Sequence, residues 1–195
     1  MIDTRIAGNL RWASLGLAVA FLGACDDSTG SPGDKLQQED VVAVYRVCQL
    51  AFDPSGSTLP TVNILVEAFE YGSSNTDPTI GLDPNSQKTV ELTYVPKGQV
   101  NDQELRGIYN IRSLTTVEIR FNTTGVNPSQ FLIPPSRALN FEWQESPRSL
   151  TMGASSEYTV SRAEYVALSG ADPAGLADQI PGVLIAQFQV GSCST

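Results

Sequence analysis

"TVEIRF", Thr116 to Phe121, decides how the rest of the chain is read. Val117, Ile119 and Phe121 fall on one side and Glu118 and Arg120 on the other. That period of two belongs to a pleated strand with one face buried. The same alternation recurs along the chain. "LNFEW" sets Leu139, Phe141 and Trp143 against Asn140 and Glu142, and "TVELTY" aligns Val90, Leu92 and Tyr94. "LIAQFQV" does so for Leu184, Ala186, Phe188 and Val190. "VVAVYRVCQLAF", Val41 to Phe52, is apolar on both sides, which predicts a central or closing strand covered on two faces. Turn-forming clusters separate the runs: Asp53-Pro54-Ser55-Gly56, Asp83-Pro84-Asn85, Pro96-Lys97-Gly98 and Asn127-Pro128-Ser129. Short strands at this spacing predict a mainly β chain forming a single antiparallel β-barrel, with a β-sandwich as the alternative.

Helical pattern is scarce. Thr61 to Gly72 reads as one short helix after the first strand, with Thr61 as cap, Val62, Leu65, Val66 and Phe69 on one face, and Gly72 as stop. Asp172 to Gly182 has room for one helical turn between its prolines. Ser161-Arg162-Ala163-Glu164 matches a capping box, but it continues an alternating run from Tyr158 and is read as strand.

The amino terminus has a different grammar. Arg5 and Arg11 precede an apolar run of thirteen residues, Trp12 to Ala24. That length suits the core of a signal peptide and falls short of the ~20 residues of a spanning helix. The run closes on Leu22-Gly23-Ala24-Cys25, which resembles the lipobox of bacterial lipoproteins. The resemblance implies cleavage after residue 24 and diacylglyceryl modification of Cys25, the first residue of the mature chain. Residues 25–40 are Gly, Ser, Pro and charge with one aliphatic, Leu36, and are expected to form a disordered tether. Residues 41–195 are then one β-barrel-like domain with an extension after Leu168. Asp26 is similar to an inner-membrane retention signal of some enterobacteria, so either membrane of the envelope remains open.

The chain carries a net charge of −9. Removing Asp3, Arg5 and Arg11 with the leader makes the remainder −10. An acidic chain without a basic cluster is a poor partner for nucleic acid or anionic lipid headgroups. There are no histidines among the 195 residues. Ser-His-Asp and Cys-His nucleophile systems and H-E-x-x-H zinc sites are therefore excluded, and the commonest general base is missing. No Walker loop, G-x-S-x-G elbow or G-x-G-x-x-G occurs, and no metal or cofactor is expected. Glu142 with Glu145, or Glu157 with Glu164, are the carboxylate pairs a glycosidase would need. Solvated strand faces carry such glutamates routinely, so no enzyme is expected. Asp77 to Asn85 is rich in oxygen ligands but lacks calcium-loop spacing, and turn formation explains it more simply.

Beyond the lipidated cysteine, Cys48 and Cys193 remain. In an oxidising compartment an even pair near both ends suggests a disulfide staple, the alternative being two buried thiols. Tyr94, Tyr109, Phe121, Phe141 and Trp143 either line a barrel mouth and stack on a small apolar ligand or fill the core.

From Val41 to Arg162 the order of elements resembles the lipocalin-like domains of exported bacterial lipoproteins. "RGIYNIRSLTTVEIRF", Arg106 to Phe121, is similar to their pairing of a G-x-aromatic strand with a V-x-I/L-x-F strand. The G-x-W of lipocalins proper is absent from "AVYRVCQL". The resemblance implies a protein lipid-anchored in the bacterial cell envelope, its domain outside the cytoplasm, binding a small apolar ligand in the barrel. The alternative is a non-enzymatic structural or adaptor lipoprotein that meets an envelope protein partner.

Overall fold

The structure, a computed structural model, describes residues 36–56, 58–73, 75–122, 137–152, 157–172 and 174–193. The leader, Cys25 and the tether up to residue 35 lie outside the described residues. Among those described, no helix is long and apolar enough to cross a membrane.

The elements in order are α1 (Gln38–Val41), β1 (Val44–Pro54), α2 (Ile64–Glu67), β2 (Thr79–Leu82), β3 (Thr89–Tyr94) and β4 (Gln103–Ile111). Then follow β5 (Thr116–Phe121), β6 (Leu139–Glu145), β7 (Arg148–Met152), β8 (Glu157–Ser161), α3 (Arg162–Ser169) and β9 (Gln179–Gln189). Strands β1 to β7 form a meander, each antiparallel to the next, and β9 fits between β7 and β1. An eight-stranded antiparallel barrel is thereby closed, which removes the free edges an open sheet would show. The eleven-residue β9 is the longest partner of β1, and β7 and β8 follow one another along its other edge. The segment read as an extension after Leu168 thus contains the strand that closes the barrel.

Alternation works as the sequence predicts in β3, β5 and β9. Val90, Leu92 and Tyr94 are buried, as are Val117, Ile119 and Phe121, and Leu184, Ala186 and Phe188. β1 differs from expectation, and the reason is local. Its register against β9 shifts between Val47 and Gln49, so Cys48 is the extra residue of a β-bulge. Tyr45 and Val47 point inward before the bulge, Leu50 and Phe52 after it. The apolar run looks two-sided mainly because its phase changes partway, and Ala51, buried between Leu50 and Phe52, is covered on the other face as well.

The helices also extend the sequence reading: among the described residues three short ones are present rather than one. α2 occupies four residues, with Asn63 rather than Thr61 at its N-cap. Val62 bridges Phe52 and Phe69 bridges Pro96, so both flanks are held in extended pairing and the helix cannot lengthen. The capping box at Ser161 is real. Glu164 N donates to Ser161 Oγ at 3.3 Å, and Ser161 N donates to Glu164 Oε2 at 3.4 Å. The alternating run from Tyr158 ends there and α3 begins, closing at Gly170 with a left-handed φ of 67°. Residues 174–175 form a turn rather than a helical turn. At the start, Leu36 is 7 % exposed and Val41 fully buried in the core, so the folded domain begins before residue 41.

Cys48 and Cys193 form a disulfide with their Cα atoms 5.4 Å apart. The bulge residue of the first strand is therefore bonded to the segment just past the last.

Candidate functional site

The barrel has two ends. One carries α1, the β2–β3 turn, the β4–β5 loop at residues 112–115, the tight β6–β7 turn and the residues after β9. The other carries α2, the β3–β4 loop, α3 and the loop before β9. The five aromatic candidates spread along the interior between these ends instead of converging on one opening.

Tyr94 stands toward the α2 end, edge-on to Phe69 with ring centroids 5.3 Å apart, and its hydroxyl donates to Gln103 Oε1 at 2.9 Å. Tyr109 lies toward the α1 end and donates to Asp83 O at 2.9 Å. Phe141 packs on Phe188 at 5.0 Å. Phe121 is 3 % exposed and pairs with Gly107 of β4. Trp143 is half-buried against the core at the α1 end. Its Nε1 is the buried side-chain polar atom among the described residues that finds no hydrogen-bond acceptor.

Sequence reading passed over Tyr45, although it alternates with Val47 in plain view. Tyr45 is fully buried, and its hydroxyl donates to Val41 O at 2.7 Å, tying α1 beneath the barrel. Burial pushes its phenol up to about 12, against a smaller downward pull from Arg148. Burial likewise raises Tyr94 to about 12 and Tyr109 in the same direction. These phenols keep their protons at neutral pH and act as donors to the protein's own oxygens. Tyr165 of α3 does the same across the other end, donating to Pro60 O at 2.8 Å.

The outer face of β3, β4 and β5 is a lattice of charge. Arg106 bonds Glu91 at 2.9 Å and Glu104 at 2.7 Å. Glu118 accepts from Arg112 at 2.6 Å and from Arg120 at 3.1 Å. Hydrogen bonding from Arg112, helped by Arg120 and opposed by desolvation, holds the Glu118 carboxyl below its ordinary range. Ile108 sits among these charges at 45 % exposure. The described clefts are on the outside. A cleft of about 460 Å³ lies at the start of α3, and others of about 390 and 310 Å³ flank Gly107. Phe121 alone of the five aromatic candidates borders one of them.

Several of the polar residues singled out for chemistry have structural partners, and the side chain of Glu157 lies outside the described residues. Asp77 accepts from Gly72 N at 2.7 Å and faces Arg46 at 3.3 Å. Asp83 accepts from Thr89 Oγ1 at 2.9 Å, and Asn85 also bonds Thr89. Asp77 and Asp83 lie at opposite ends of β2 and share no ion site. Glu142 stands opposite Thr151 and Glu145 opposite Arg148, both exposed on β6. Glu164 serves the α3 cap. Among the described residues no three of His, Cys, Asp and Glu gather to hold a metal.

Compared with protein-family models, with curated proteins and with solved structures, the chain matches none.

Proposed function

We propose that this is an exported, lipid-anchored protein of the bacterial cell envelope, without catalytic function, that works through the outside of its barrel as an adaptor for a protein partner. The observation that carries this reading is the state of the interior. Tyr45, Tyr94 and Tyr109 are each at most 2 % exposed. Each hydroxyl is already donated to an oxygen of the chain itself. A ligand entering there would have to break packing and orphan those donors, at about 1–3 kcal/mol for each one. The outer face supplies what a contact surface uses instead: apolar Ile108 ringed by Arg106, Arg120, Glu91 and Glu118. Placing a photo-crosslinking residue at Ile108 in the native host tests the idea. A discrete crosslinked envelope protein is the expected result; a barrel that purifies with a stoichiometric small molecule inside overturns it.

A second reading keeps the small apolar ligand, and Trp143 favours it. Its Nε1 meets no acceptor in hydrogen-bonding geometry, though it lies near enough to the Tyr45 hydroxyl to pull that phenol's pKa down against the larger rise from burial. An amphipathic ligand carrying an acceptor would satisfy it. Trp143 is the sole tryptophan beyond residue 24. Fatty acids that shift its emission would support this reading, and an inert panel would remove it.

A further inference from the structure

The two ends of the barrel are unequal in a way that gives the domain an orientation. The chain enters at the α1 end, where Leu36 and Val41 are drawn into the core and Gln38 reaches the β2–β3 turn through Asn85 O at 3.3 Å. Cys25 precedes Leu36 by eleven residues. The segment that follows Cys25 therefore joins the domain at its α1 end.

Charge separates the ends in the same sense. Along residues 53–78, 95–104 and 162–178 stand nine carboxylates: Asp53, Glu67, Glu70, Asp77, Asp102, Glu104, Glu164, Asp172 and Asp178. Lys97 and Arg162 oppose them there, Arg46 pairs with Asp77 and Arg106 with Glu104, and Arg137 stands at the same end, which leaves an excess of four carboxylates. At the α1 end, Glu39, Asp40, Asp83 and Glu145 are nearly balanced by Lys88, Arg112 and Arg148. An anionic bilayer repels the first surface within a Debye length of ~8–10 Å and is almost indifferent to the second. Apolar exposure does not discriminate, because both ends show some. Val44, Leu114 and Val190 are 66, 51 and 39 % exposed at the α1 end, and Val66, Tyr71 and Val100 are 38, 39 and 91 % exposed at the other.

We propose that the α1 end is the membrane-facing surface, with Val44, Leu114 and Val190 meeting the headgroup region of an anionic bilayer and the acidic α2–α3 end directed away. This rests on lipidation at Cys25, so the test reads the anchor and the orientation separately. The full chain, expressed with its leader in a bacterial host, is reconstituted into phosphatidylethanolamine–phosphatidylglycerol vesicles containing nitroxide-labelled lipid. Leu114→Cys and Val100→Cys variants are labelled with a small fluorophore; Cys48 and Cys193 are bonded to each other, and a diacylglyceryl thioether blocks Cys25 in the anchored protein. Both variants are expected to sediment with the vesicles, and the Leu114→Cys probe to be quenched several-fold more than the Val100→Cys probe. Equal quenching, or the reverse order, overturns the orientation and leaves the anchor standing. A protein that stays in the supernatant overturns the anchor, and the orientation with it. Sedimentation with neither probe quenched also sinks the proposal.

Discussion

Glu118 accepts from two arginines on the outside of the barrel. It is 7 % exposed and shared by two arginines whose own side chains are about half exposed. Solvent screening of those arginines keeps the network modest, so Glu118→Gln should cost about 1 kcal/mol at pH 7 by urea denaturation. The sign of the pH dependence follows from its lowered pKa. As pH falls, the unfolded chain takes up the proton first, so the stabilisation is complete above the ordinary carboxylate pKa of about 4.3 and disappears below it. The gap between wild type and Glu118→Gln should therefore close when both are compared at a pH below the carboxylate range. Gly107 makes a different kind of demand. It faces inward between Leu105 and Tyr109, and a Cβ there would collide with the carbonyl oxygen of Arg120 and the Cα of Phe121. Both are backbone atoms and cannot swing aside. Gly107→Ala should lose about 3 kcal/mol or more, read as a lowered urea midpoint.

Among the elements, α3 depends on its cap. Ser161→Ala removes the acceptor for Glu164 N and should cost about 1 kcal/mol, checked by thermal melting. The same residue shows why only part of the fold was legible in the sequence. Val117, Ile119 and Phe121 announce β5 because a half-buried strand has no other way to sort its side chains. Ser161 ends a strand and starts a helix at once, so the alternation from Tyr158 hides the helix behind it. α2 was readable in place but not in length, because pairing of Val62 with Phe52 and of Phe69 with Pro96 is non-local. In β1 a single inserted residue, Cys48, reverses the phase of burial, and periodicity alone cannot separate that from two covered faces. Tyr94, Tyr109, Phe121 and Phe141 are buried in the core, and Trp143 is half-buried against it. That the hydroxyls of Tyr94 and Tyr109 end on Gln103 and Asp83 depends on contacts between separate strands and loops, which no local pattern encodes.

At the scale of the whole molecule, the barrel is closed by the pairing of its first and last strands, and the bond between Cys48 and Cys193 spans 145 residues of sequence. A closed loop of that length restricts the unfolded chain by about 5 kcal/mol in the entropy model. Reduction, or replacement of both cysteines by serine, should lower the urea midpoint accordingly, and an unchanged midpoint would show that the unfolded chain is already compact. The order of manufacture adds a hazard of its own. β9 emerges from the ribosome after every strand it joins, so until then β1 and β7 each present a bare row of amides and carbonyls to other nascent copies. A transcript stopped short of Gln179 should consequently yield insoluble protein, and a synthetic peptide carrying residues 179–193, added during refolding, should recover it.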